Sequence, residues 1–110
     1  MASALARLRR RSEFLAVAAA GRKAAAPGLV LQARRRDDGD APRLGFTATR
    51  KLGGAVQRNR ARRRLKEAAR LLAPAHARAG HDYVLIARAG TLTRPWPALL
   101  ADLERAFAKA

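Results

Sequence analysis

Between Arg50 and Arg70 the chain places nine basic residues, Arg50, Lys51, Arg58, Arg60, Arg62, Arg63, Arg64, Lys66 and Arg70, against one acid, Glu67. Like charges three or four residues apart on a helix repel by a few tenths of a kcal/mol per pair. A row of phosphates laid along such a helix removes the repulsion, and arginine forks hold phosphate oxygens two at a time. The whole chain shares the bias, with 24 Lys+Arg against 8 Asp+Glu in 110 residues and a formal charge of +16. A GC-rich genome accounts for arginine being chosen over lysine 20 times to 4, but not for the clustering on one helix. The expected partner is therefore nucleic acid.

Side chains that could perform catalysis are sparse. The carboxylates are Glu13, Asp37, Asp38, Asp40, Glu67, Asp82, Asp102 and Glu104. Three of them share one loop, where forming a turn outweighs attracting a cation. Ser3 and Ser12 are the only serines, one terminal and one a candidate helix cap, which leaves no serine nucleophile. His76 and His81 stand five apart, not at the spacing of four that a helical metal pair needs. Gly53-Gly54 is too short for a phosphate loop. No catalytic residue and no metal site is assigned to the protein. The absence of cysteine suits a cytoplasmic protein, and no apolar run reaches the roughly 20 residues of a membrane span.

The elements that must position the basic run follow from the hydrophobic pattern. Alanine supplies 28 of the 54 hydrophobic residues, so the core is thin. Phe14–Ala20 follows the basic residues Arg7–Arg11 and superficially resembles a signal peptide, but it is short and mostly alanine. It reads instead as a helix over 12–20, capped by Ser12, with Phe14, Val17 and Ala18 on one face and Gly21 as its stop. Strands are expected at 29–34 and 44–49, joined by a hairpin-type loop through Arg35–Pro42, and again around Tyr83–Ile86 within 82–88. The longest helix spans about 55–73, closed by Pro74, with Ala61, Leu65, Ala68 and Leu72 as its buried stripe. A last helix begins at Pro95 and presents Leu99, Leu100, Leu103 and Phe107. The fold class is α+β, an α/β sandwich in the order α-β-β-α-β-α. One central sheet of 3–4 strands carries the helices, in a single domain over 1–110 with residues 1–6 flexible.

The type of nucleic acid is less constrained. A basic helix fits a DNA major groove, whereas base readout needs Asn or Gln among the arginines, and only Asn59 and nearby Gln57 qualify. Few readers and many phosphate contacts suit folded RNA equally well.

The stretch from Leu44-Gly45-Phe46-Thr47-Ala48-Thr49-Arg50-Lys51 through Gly53-Gly54 to Arg58-Asn59-Arg60-Ala61-Arg62-Arg63-Arg64-Leu65-Lys66-Glu67 closely resembles the signature of the bacterial ribonuclease P protein family. Ser12-Glu13-Phe14-Leu15 and Asp82-Tyr83-Val84-Leu85-Ile86-Ala87-Arg88 agree with it, and the resemblance covers about residues 7–108. It implies a sheet with a left-handed crossover, against the usual preference. It also implies a ribonucleoprotein that removes the 5′ leader of precursor tRNA, with the chemistry in an RNA subunit that binds Mg²⁺.

By that resemblance, Arg58, Asn59, Arg60, Arg62, Arg63 and Lys66 meet the catalytic RNA, and Arg70 extends the same basic run toward it. A cleft between the first helix and the sheet takes the leader through Phe14, Val30, Gln32, Thr47 and Thr49, with Arg34, Arg50, Lys51 and Arg88 supplying charge. The chain departs from the family pattern at Ala18 and Gln32, where relatives commonly carry aromatics. The implied partners are ribonuclease P RNA and precursor tRNA, with no membrane and no protein partner required. The alternative is a structural RNA-binding protein of ribosomal type. A DNA-binding regulator would need a helix-turn-helix partner and a dimer surface that the sequence does not offer.

Overall fold

A computed structural model describes residues 6–110. The elements are β1 (Ala6–Arg7), α1 (Arg11–Ala19), β2 (Arg22–Ala26), β3 (Leu29–Arg35), β4 (Arg43–Thr47), a 3₁₀ turn (Arg50–Leu52), α2 (Ala55–His76), β5 (His81–Ala87), α3 (Ala89–Thr93) and α4 (Trp96–Lys109). The strands form one five-stranded sheet in the order β1-β4-β5-β3-β2. β5 runs antiparallel to β3 and parallel to β4, so α2 is the crossover that joins two parallel neighbours.

The two faces of β5 divide the core. Tyr83, Leu85 and Ala87 point into the main cluster with Leu29, Leu31 and Leu44 from the sheet, Ala61, Leu65, Ala68 and Ala69 from α2, and Leu99, Leu103 and Phe107 from α4. Val84 and Ile86, offset by one residue, meet Leu8, Phe14 and Val17 beneath α1. The molecule is thus a sandwich with α2 and α4 on one side of the sheet and α1 on the other. Alanine explains how so few large side chains suffice: Ala61, Ala68, Ala69 and Ala73 are all buried on α2 and bring that helix close to the sheet.

Several sequence expectations need correction. The sheet has five strands where three or four were expected, because Arg22-Lys23-Ala24-Ala25-Ala26 forms β2 despite a composition that favours helix. Its pairing with β3 across Pro27-Gly28 overrides propensity. The segment 36–42 is not a hairpin connection, since β5 inserts between β3 and β4. α1 is capped by Glu13 and not by Ser12: the Glu13 carboxylate accepts the backbone N–H groups of Arg9 and Arg10 at 2.8 and 2.9 Å. Ala18 is exposed, so only Phe14 and Val17 of the proposed face meet the sheet. Gly21 does end α1, with a φ of 77° that places it in the left-handed region.

The helix over 55–73 continues to His76 with Pro74 inside it. A proline in the last turn forfeits only the hydrogen bond to the Arg70 carbonyl, and the helix still closes with Ala77 N–H donating to the Ala73 carbonyl at 2.8 Å. α3 was not anticipated. The flexible segment expected over 1–6 falls outside the described residues except for Ala6, which pairs with Arg43 in β1. None of the described helices is long and apolar enough to cross a membrane.

Candidate nucleic-acid interface

α2 exposes Asn59, Arg60, Arg63, Lys66 and Arg70, with Arg58 and Arg62 half-buried beside them. Asn59, Arg60, Arg63, Lys66 and Arg70 point away from the alanine-leucine stripe that binds the helix to the sheet, whereas Arg58 and Arg62 flank it, at spacings of three and seven from Ala61 and Leu65 and from Leu65 and Ala69. Two members of this face constrain each other: Arg62 donates to Asn59 Oδ1 at 2.7 Å, so Asn59 orients an arginine. Arg70 forms an exposed fork with Glu67, which holds the Glu67 carboxyl below its ordinary value. Arg58, Arg60, Arg62, Arg63 and Lys66 have no carboxylate partner among the described residues. Arg58 Nε is buried without a hydrogen-bond partner among them.

Arg64 has a different task. Its guanidinium donates to the Thr91 and Arg94 carbonyls at 2.6 and 2.9 Å and lies over the Trp96 ring, 5.6 Å from its centroid. It ties α2 to the α3–α4 junction. Together with Arg60, Arg63, Lys66, the Glu67–Arg70 pair and Trp96, it lines a hollow of about 610 Å³.

Elsewhere arginine is neutralised internally. Asp82 is fully buried on β5, and Arg43 grips it with two N–H donors at 2.8 Å each while Arg36 supplies a third. Burial alone would raise the Asp82 pKa, but the hydrogen bonds from Arg43 and Arg36 outweigh it and hold the carboxyl below its ordinary 3.8. Arg43 also reaches Glu13 on α1 at 2.9 Å, so one guanidinium links the helix to the sheet's buried acid. The Glu13 pKa is lowered first by the backbone bonds from Arg10 and Arg9, then by the charge of Arg43. Asp102, also fully buried, accepts Arg94 at 2.9 and 3.0 Å, Arg105 at 2.6 Å and the Gly28 N–H at 3.0 Å.

Between α1 and the sheet lies the second candidate surface. The Phe14 ring rests on β4 where Gly45 leaves room; a Cβ there would stand 2.5 Å from Phe14 Cε2. Register places Val30, Ile86 and Thr47 side by side across three strands, with Gln32, Val84 and Gly45 in the next row. All but Val84 and Gly45 are half-buried. Thr49, Lys51 and Arg88 line a hollow of about 240 Å³ at the end of this face. Arg88 is anchored there by donating to the Ala26 carbonyl at 2.8 Å, while Arg50 is exposed on the adjoining 3₁₀ turn.

Arg34 lies at the other end of the same face. It sits in a third row, opposite Asp82, and its guanidinium lies 3.7 Å from that carboxylate. The buried acid draws it to the far end of the face, away from Thr47 and Lys51. Sequence reasoning missed Asp82, Asp102 and Trp96 as organising residues. A signal existed for Asp102, which shares the helical face of Leu99, Leu103 and Phe107, where an acid is out of place unless paired.

The chain matches the family model described as Ribonuclease P over residues 3–110. It is 54% identical over 110 residues to the ribonuclease P protein component of Gluconacetobacter diazotrophicus, covering 100% of this chain and 95% of that protein. To the same component of Symbiobacterium thermophilum it is 45% identical over 104 residues, covering 94% and 90%. The fold is similar to that of the RNase P protein of Staphylococcus aureus, with a TM-score of 0.78 at 25% identity over 93% of this chain and 92% of that one. The RNase P protein from Thermotoga maritima gives a TM-score of 0.71 at 29% identity, covering 90% and 96%. With a family match across nearly its full length, half its residues shared with a relative and the same sheet and helices, the chain belongs to the ribonuclease P protein family, the protein part of a ribonucleoprotein endoribonuclease.

Proposed function

We propose that the chain seats the catalytic RNA of ribonuclease P on the outer face of α2 and the 5′ leader of precursor tRNA in the cleft beneath α1. The observation that carries this reading is the contrast among arginines. Those at Asp82 and Asp102 are matched to carboxylates, whereas Arg58, Arg60, Arg62, Arg63 and Lys66, carried on one helix, form no ion pair among the described residues. Leaving five cations unpaired on one helix costs stability that bound phosphates return.

The leader is single-stranded and varied in sequence, so its groove needs charge and ring stacking and not base-specific donors. Phe14 on one wall, the Val30–Ile86–Thr47 row as floor and Lys51 and Arg88 at the end supply these features. Mg²⁺ held by the RNA would supply the hydrolytic chemistry; the protein's part is to bind, align and screen phosphate charge. The cytoplasm is the proposed site of action.

The test is reconstitution. The chain added to a bacterial ribonuclease P RNA at low Mg²⁺ should stimulate cleavage of precursor tRNA, and the double variant Arg60→Gln, Arg63→Gln should lose that stimulation. A structural RNA-binding protein of ribosomal type would bind RNA without stimulating cleavage, and that outcome would overturn the proposal.

A further inference from the structure

We infer that the hollow between α2 and the start of α4 takes a single unpaired nucleotide, its base against the stacked pair of Arg64 and Trp96 and its flanking phosphates on Arg60 and Arg63. This rests on the reading that α2 meets an RNA, and deepens it by adding a base contact to a surface otherwise made of charge.

Three features converge on the site. Trp96 is half-buried at the first position of α4, so its ring belongs partly to the core and partly to the hollow. Its orientation is fixed in advance: the Arg64 guanidinium lies over the ring and is itself pinned by the Thr91 and Arg94 carbonyls. A stacking platform that is already immobile loses little freedom when a base arrives. Around it, Arg60, Arg63 and Lys66 lack carboxylate partners among the described residues, and the nearby Glu67 carboxylate is already neutralised by Arg70. The lining is mainly carbon, although six of its seven residues are charged.

That combination discriminates among ligands. A bare phosphate would have no use for the apolar floor, and an apolar peptide would strand the cations. An unstacked nucleotide presents a flat π-face and an anion together, and base–aromatic stacking is sequence-tolerant. A hollow of about 610 Å³ accommodates one such unit. Arg64 is thereby reassigned: it looks like one more phosphate contact in the basic run, yet here its guanidinium forms the platform together with the indole beneath it.

The chain contains a single tryptophan, so emission excited beyond the absorption of its one tyrosine, Tyr83, reports on this site alone. The experiment titrates the full chain with ribonuclease P RNA, following Trp96 emission and, in parallel, retention of end-labelled RNA on a filter. Emission should fall by about half or more with the midpoint of the filter assay. Heparin, a polyanion without bases, should displace the RNA and restore the emission. Trp96→Leu, which keeps apolar volume but removes the ring, should weaken RNA binding about tenfold, and Trp96→Phe should bring it back within about threefold at an unchanged melting temperature. RNA that binds without altering the emission overturns the nucleotide site and leaves the α2 reading intact, as do equal quenching by heparin and RNA or equal affinity of the Leu and Phe variants. If the RNA fails to bind at all, the α2 reading itself falls and this site with it.

Discussion

Asp82 and the outer face of α2 are both surrounded by arginine, and the two regions use it in opposite ways. At Asp82, Arg34, Arg36 and Arg43 converge from β3, the following loop and β4 on one fully buried carboxylate. On α2, five cations form no ion pair among the described residues, and the helix's one acid, Glu67, is taken by Arg70. The first arrangement is finished within the molecule, whereas the second is completed only by a ligand. Net charge does not separate them; what does is whether the fold brings an acid into register. The same guanidinium therefore serves stability in one place and binding in the other.

The contrast is broken most severely at Asp82. Asp82→Asn leaves Arg36 and Arg43 facing a neutral group in a partly buried setting, and removing one partner of such a network costs about 3–5 kcal/mol. That is a large share of the roughly 5–15 kcal/mol that holds a domain. Urea denaturation should show the midpoint collapsing, whereas Arg60→Gln, Arg63→Gln should leave it unchanged or raise it, because that change relieves repulsion. Equal losses in both variants would erase the distinction.

Acid titration addresses the same node. The folded Asp82 and Glu13 carboxyls lie below their ordinary values. A folded pKa below the unfolded one adds stability that is complete above the unfolded value, near pH 4, and is lost as the pH falls through the folded value. The melting temperature should be flat from pH 7 to about 5 and decline below about 4, and Asp82→Asn should flatten that decline.

At the other pole, Arg63→Ala should leave stability unchanged while weakening RNA affinity about five- to tenfold at moderate salt. The slope of log K against log salt should shrink by about 0.7–0.9, the counterions of one phosphate. An unaltered slope would take Arg63 out of the interface. A smaller and more selective effect is expected in the cleft, where Phe14→Ala should reduce affinity for leader-bearing tRNA several-fold and spare mature tRNA. Equal losses on both substrates would assign the ring to packing on Gly45 alone.

The two regions also differ in how far the sequence disclosed them. The α2 face depends on helical periodicity, a local property, so Ala61, Leu65 and Ala68 as the buried stripe and the arginines as the exposed face were legible directly. The Asp82 cluster depends on which strands are neighbours. Because β5 enters between β3 and β4, Arg34 and Arg43 come to flank Asp82, and no local pattern reports that pairing. The same non-local fact turned an apparent hairpin into a connection that passes over β5 and set Arg34 beside Asp82 at the far end of the sheet face. β2 was hidden because three alanines have no strand preference of their own and acquire the conformation from β3. Trp96 was hidden because the arginine it partners lies 32 residues earlier in the chain.

The least effect expected is also the one that isolates the unfinished charge from everything else. Sulfate stabilises most proteins by exclusion from their surface, so a rise in melting temperature alone proves nothing about α2. Binding adds RT ln(1 + [L]/Kd), about 1.4 kcal/mol at ten times Kd, or roughly 5 °C or more for a domain of this size. Exclusion acts on total surface and is the same in wild type and in Arg60→Gln, Arg63→Gln; occupancy of the arginine row is not. The difference between their sulfate-induced shifts should be a few degrees and should saturate, whereas the exclusion component grows steadily with concentration. Asp82→Asn should retain the full difference, since its missing acid lies on β5 beneath α1 and the sulfate-binding cations lie on the outer side of α2. If the two profiles superimpose, the arginines of α2 gain nothing from an oxyanion, and their unpaired state would need another cause.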